Sequence, residues 1–261
     1  MAVADAITHA RPTAAEPPDR ASTTEHRLLE AAGQVFAEQG YRAGTVREIC
    51  TLAGANLAAV NYHFGDKEGL YKALLTYAYE ASLASHPPDL GVHPGDPPAH
   101  RLHAFVRSFL LRLLDEGRSA WHARLMCREL HEPSPVLAEA VRGSLKRVHD
   151  LLKDILRDVA AEAMRTRRTS RSRMKPLSED QLTCCAMSVA GQCLHYRFAR
   201  PILDALYPRR FGLEEVDALA AHITAFTLGG VQAVVEHGSE LDGAGRSAHG
   251  RASARSTERS T

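Results

Sequence analysis

Regularly spaced cysteines, strand-like alternation, long apolar runs and a large net charge are all missing from these 261 residues. Each gap removes a class of protein. Five cysteines are an odd number with no regular spacing, and Cys184 and Cys185, as neighbours, would point to different faces of a helix. The pattern does not suggest a disulfide framework, and reduced thiols in a cytoplasmic protein are expected. No apolar stretch approaches about 20 uninterrupted residues, so no membrane span is expected. The opening MAVADAITHARPTAAEPPDR lacks the basic start and apolar core of a signal peptide and reads as a disordered arm over residues 1–22. A net charge of +1 gives no electrostatic reason of its own to bind nucleic acid. There is no phosphate-cradling glycine loop, nucleophile elbow or pair of carboxylates beside a positioned base, so neither catalysis nor a cofactor is expected. Cys127 and His131, four apart, could offer two metal ligands, but no third and fourth follow at a recognisable spacing, and no metal is expected. Without period-two patterning or an internal repeat, the chain reads as all-α.

What is present is concentrated between Thr45 and Leu70, TVREICTLAGANLAAVNYHFGDKEGL. Thr45 followed by Glu48 forms a capping-box signature that starts a helix at Val46. Val46, Ile49, Cys50 and Ala53 give it one apolar stripe. Gly54 stands where a left-handed residue ends it. Asn56 caps a second short helix from Leu57 to about His63, and Asp66 caps a third that runs to about Leu83. Helix, glycine turn and helix form the layout of a helix-turn-helix unit whose second helix enters the DNA major groove. In that unit Asn56, Leu57, Ala58, Ala59, Asn61 and Tyr62 are the groove-facing candidates. Leu57 and Ala59 suit thymine methyls, and Asn61 suits adenine or a phosphate. Thr45, Tyr62, His63 and Lys67 are placed for phosphates. His63 has the alternative of a structural role, and Arg47 of remaining solvated. Val60 and Phe64 belong to the core.

The pattern resembles the TetR family over roughly residues 24–79. Thr45, Ala53, Gly54, Asn56, Ala58, Val60, Asn61, His63, Phe64, Lys67, Glu68 and Leu70 stand at family positions, as do Phe36 and Gly40 in the preceding helix. Asn56 replaces the usual Ser and Asn61 the usual Tyr, with the aromatic moved to Tyr62. The NLAAVNYHFGDKEGLY wording, LMCRELHEPSP and HITAFTLGGVQAV are similar to the CecR-like branch. The resemblance implies a homodimeric regulator of a double-stranded operator, released by a small-molecule effector held in a C-terminal domain, most simply as a repressor. A helical small-molecule or metal sensor with weak or no DNA binding is the alternative, because Asn61 stands in place of the usual Tyr and Glu25, Glu30, Glu38, Glu48, Asp66 and Glu68 offset the basic residues of the head.

The head is expected over residues 23–83. HPPDLGVHPGDPP, residues 86–98, cannot be helical and marks a boundary. A C-terminal helical domain follows over 99–237. Within it, Leu102 to Leu114 form an amphipathic helix, and another ends before Pro133. Ser134 and Pro135 supply a cap and a first-turn proline for a long helix. The basic run from Arg165 to Lys175 reads as a solvated loop or an auxiliary nucleic-acid contact. Ser178 with Gln181 caps a helix interrupted by Pro201, and the last helix covers 213–237 ahead of a disordered tail, 238–261. Ala186, Ala190, Gly191 and Cys193, with Gly229, Gly230 and Ala233, permit close helix approach, either between two copies or within one chain. Phe105, Phe109, Trp121, Met126, His131, His195, Tyr196 and Phe198 are the pocket candidates.

Overall fold

A computed structural model describes residues 23–114, 120–166, 175–208 and 210–257. The expected arm, the central part of the basic run and residues 258–261 lie outside this range. Among the described residues there are ten α-helices, one 3₁₀ turn and no strand.

The local signals act where they stand. Helix α1 spans Thr24–Ala43, α2 spans Val46–Ala53, α3 spans Leu57–Phe64 and α4 spans Lys67–Ser85. The Thr45 hydroxyl accepts from the Glu48 amide while the Glu48 carboxylate accepts from the Thr45 amide, closing both halves of the capping box. Gly54 ends α2 at φ 59°, ψ 39°, a left-handed conformation that a side chain would strain. Gly69 is needed for a different reason: a Cβ there would stand 2.0 Å from the Phe64 carbonyl oxygen, so only glycine lets α4 begin so close behind α3. Helix α5 spans Pro98–Leu114, α6 Ala120–His131, α7 Leu137–Thr166, α8 Glu179–Phe198, α9 Arg200–Leu206 and α10 Val216–Thr257.

Two cores form. The body core joins α5, α7, α8 and α10 around Leu102, Leu110, Leu156, Leu182, Ala186 and Ile223. The head core gathers Leu28, Phe36, Ile49, Val60, Leu70 and Leu74, and it also takes Trp121 and Leu125 from α6 and Val136 from the turn before α7. Packing therefore does not divide the chain where the proline segment does.

Three further expectations change. Ser134 does not cap α7, which begins three residues later. Its amide and hydroxyl instead donate to the buried Glu129 carboxylate at 3.0 and 2.8 Å. Pro201 sits in the first turn of the new helix α9 rather than ending an old one, consistent with its pre-set φ. The backbone of α10 remains helical through Thr257, where a disordered tail was expected from Gly238. That stretch contains no proline, and glycine weakens an already nucleated helix without blocking it.

Candidate nucleic-acid interface

Helix α3 is only eight residues long, so each position on it has one orientation and little freedom. The Asn56 Oδ1 accepts from the Ala59 amide at 2.9 Å and fixes the start. Val60 is fully buried and Phe64 packs against the head core, which anchors the inner face. The opposite face is open. Leu57 is 58% exposed and Tyr62 85%, and Asn56, Ala58, Asn61 and His63 are exposed with them. Two bulky apolar side chains in water on so short a helix are a cost that a partner removes. The Tyr62 ring meets the edge of His63 at 5.0 Å.

The flanking candidates differ. Arg47 is exposed on the outer side of α2. Thr45 is exposed too, but its hydroxyl is engaged with Glu48, donating at 2.7 Å. That bonding holds the Glu48 carboxyl below the ordinary carboxylate range. Ala59 is half-buried against the head core, because its position turns partly inward beside Val60. Its methyl is thus less available than that of Ala58. Lys67 is also half-buried. Its ammonium donates to the Arg42 carbonyl at 3.2 Å and lies 5.0 Å over the Tyr41 ring, so it braces the end of α1.

Behind this face, α6 locks the head in three ways that sequence reasoning missed. Gly40 breaks α1 at φ 82°, ψ 171°, and Arg128 donates to the carbonyls of Glu38 and Gln39 there, each at 3.1 Å. It supplies an end cap from a distant helix. Glu129, 1% exposed, accepts from the Tyr71 hydroxyl at 2.6 Å as well as from Ser134. Burial and this carboxylate both push the Tyr71 phenol far up. Trp121 lies against Gly33, stacks on Tyr77 with centroids 6.3 Å apart and donates to Glu30 at 3.2 Å. An acid on the same stripe as Trp121 and Leu125 was the available signal for Glu129. Nothing local marks Arg128. A cleft of about 240 Å³ between Tyr41, Arg42, Arg128, Glu129, Glu132 and Ser134 follows this seam.

The eight pocket candidates do not converge. Trp121 and Met126 belong to the head core, since α6 turns that side toward α1. Phe105 is buried in the body core, with Phe109 and Tyr196 half-buried against it. His131 is exposed and meets Phe198 edge-on at 4.9 Å, while His195 faces outward. The His131 Nδ1 lies 3.2 Å from the Cys127 carbonyl oxygen, a local backbone contact. Among the described residues no group of three side chains could hold a metal ion.

The small residues of α8 and α10 also split. Ala186 and Cys193 are buried in the body core, whereas Gly191, Gly229, Gly230 and Ala233 are exposed. A Cβ at any of these three glycines would meet nothing within 4 Å. Met187, 51% exposed, and Phe226, 65% exposed, lie on the same two helices. The segment Leu213–His237 is long and apolar enough, by length and composition, to cross a membrane, contrary to the reading of uninterrupted runs, and 39% of its most apolar stretch is buried within the chain.

Comparison with known proteins then decides the family. Residues 28–74 match "Bacterial regulatory proteins, tetR family", and residues 98–231, over half of the chain, match "HTH-type transcriptional dual regulator CecR, C-terminal domain". The chain belongs to the TetR family, with a CecR-type C-terminal domain. Among curated relatives, the HTH-type transcriptional repressor AcnR of Corynebacterium glutamicum is 41% identical over 56 residues, covering 22% of this chain and 30% of AcnR. The repressor NicS of Pseudomonas putida is 33% identical over 95 residues, 36% of this chain and 44% of NicS. The chain thus spans less than half of either relative. The TetR-family regulator PfmR of Thermus thermophilus superposes with a TM-score of 0.52 at 19% identity, covering 79% of this chain and 96% of PfmR. A Rhodococcus regulatory protein of the tetR family gives 0.55 at 21% identity, over 80% and 97%. These structures share the fold of this TetR-family chain.

Proposed function

We propose that this TetR-family chain is a cytoplasmic, sequence-specific transcriptional repressor that binds a palindromic operator as a homodimer and is released by a small effector. The observation that carries the reading is the outward face of α3, where Leu57, Ala58, Asn61 and Tyr62 project from a helix anchored by Val60 and capped by Asn56. Asn61 and the apolar side chains supply base-edge contacts. Arg47, His63 and Lys67 supply phosphate contacts that fix register, Lys67 by turning from the Arg42 carbonyl.

Dimerisation is supported by the open outer face of α8 and α10. Their uncovered glycines beside Met187 and Phe226 suit a second copy of the same surface packed helix to helix. A two-fold pair presents two α3 helices to successive major grooves. Release requires the effector to favour a head spacing that the operator does not. Helix α4, which starts at the α3 turn and ends on the body, is the element able to carry that difference.

Gel-shift titration of the full chain against its own upstream DNA at several salt concentrations tests the reading. A specific complex weakening steeply with salt is expected. Binding that is equally weak to every fragment supports instead a helical sensor that does not read DNA.

A further inference from the structure

In the body, one half-buried cation has a shielded nitrogen with no hydrogen-bond partner among the described residues. Arg112 on α5 lies on the same stripe as Phe105, Ser108 and Phe109, where the periodicity calls for an apolar residue. Its Nε donates to the Ser108 carbonyl at 3.3 Å, and the Tyr79 side chain is close enough to act on its guanidinium. Its Nη2 is shielded from solvent and has no hydrogen-bond partner. Among the described residues, the groups that act on it are Tyr79 and Cys193, and neither is a carboxylate. Glu80, beside Tyr79, is bonded to Ser144 and Arg147. Cys193 faces Arg112, but burial pushes its thiol up to about 12, so it stays neutral. Burial likewise raises the Tyr79 phenol, despite the nearby guanidinium. A shielded guanidinium nitrogen left without a partner costs stability in the ligand-free fold, and a bound anion would satisfy it. Phe109 lies 5.3 Å from the guanidinium carbon and, like Arg112 and Tyr79, is only half-buried, so this region is not sealed.

We propose that the effector is an amphipathic small-molecule anion whose carboxylate is received by Arg112 and Tyr79, with its apolar part against Phe109. This rests on reading the body as an effector domain, and it specifies the ligand's chemistry. Tyr79 belongs to α4, so the charged end of the ligand pulls on the helix that carries the head. A guanidinium fork matches a carboxylate in shape and charge, and a neutral amide of the same size cannot replace that charge.

The test uses the full-length protein and matched pairs: decanoate with decanamide, and naphthoate with naphthamide. Calorimetry and thermal melting read binding, and the operator complex reads release. At least one acid is expected to bind roughly ten- to hundredfold more tightly than its amide. Arg112→Met should erase that preference while leaving ligand-free melting equal or higher and operator binding intact. Arg112→Lys should keep part of it, and Tyr79→Phe should reduce it. Acids and amides that bind equally, or an Arg112→Met protein that melts several degrees lower without ligand, overturn the anion site and leave the effector reading standing. If no member of either pair binds or releases the operator, the effector reading fails and the anion site with it.

Discussion

Asn56 and Asn61 are the same amino acid, at the cap and on the outer face of one short helix, with opposite duties. The Asn56 side chain is spent on the Ala59 amide, so Asn56→Ala should cost about 1 kcal/mol of stability and weaken all DNA sequences alike. Asn61 is exposed at the outer face. Asn61→Ala should leave melting unchanged and reduce discrimination at one base pair by about 1–3 kcal/mol, read in competition binding against base-substituted operators. Equal loss on every sequence would make Asn61 a backbone contact. His122 carries a pH dependence. Burial lowers its pKa from the usual 6.5, opposed in part by Glu30, and its Nε2 has no partner. The unfolded chain therefore takes up a proton before the folded one does. Stability should be full above about pH 6.5 and decline as pH falls below it. Melting scans across that range check this, and His122→Gln should flatten the slope. Residue-scale features that depend on near neighbours were legible: the caps at Thr45, Asn56, Asp66 and Ser178 act as their local sequence implies. Ser134 was misread because the group that takes its hydroxyl, Glu129, is buried by packing that no local pattern encodes.

Helix α6 shows where element-level reading stops. Helical periodicity says only which face is buried, not what covers it. The covering surface is the head, so Trp121 and Met126 fill a core rather than a pocket. The seam depends on Gly33, where an added Cβ would stand 2.6 Å from the Trp121 ring. Gly33→Ala should cost about 1–3 kcal/mol by overpacking. The chain has one tryptophan, so indole fluorescence reports this seam directly and should shift to the red in the variant. An unshifted spectrum with native melting would mean that α6 does not grip the head there. A change at Arg128 removes the donors that cap α1 at Glu38 and Gln39, and Arg128→Met should loosen the same seam.

At the scale of the molecule, the all-α architecture and the order of its parts could be read from patterning, and the two cores could not. Nor could the division of small residues on α8 into buried Ala186 and Cys193 and exposed Gly191, since the same residue types serve both roles. The exposed face of α8 and α10 yields its own prediction: Gly230→Arg should fill the open space, giving a monomer by sedimentation with helical content unchanged and operator binding greatly weakened. A variant that remains dimeric would move the interface elsewhere. Operator recognition as a whole turns on α3 reading a duplex twice. Its most direct measurement is selection of genomic fragments by the full-length protein, followed by affinity titration of the enriched sequence across salt, alongside a Tyr62→Asp, Asn61→Asp variant. An inverted repeat bound specifically, weakening steeply with salt and lost in the variant, is expected. Enrichment of no common sequence, or of one the variant binds equally well, would contradict it.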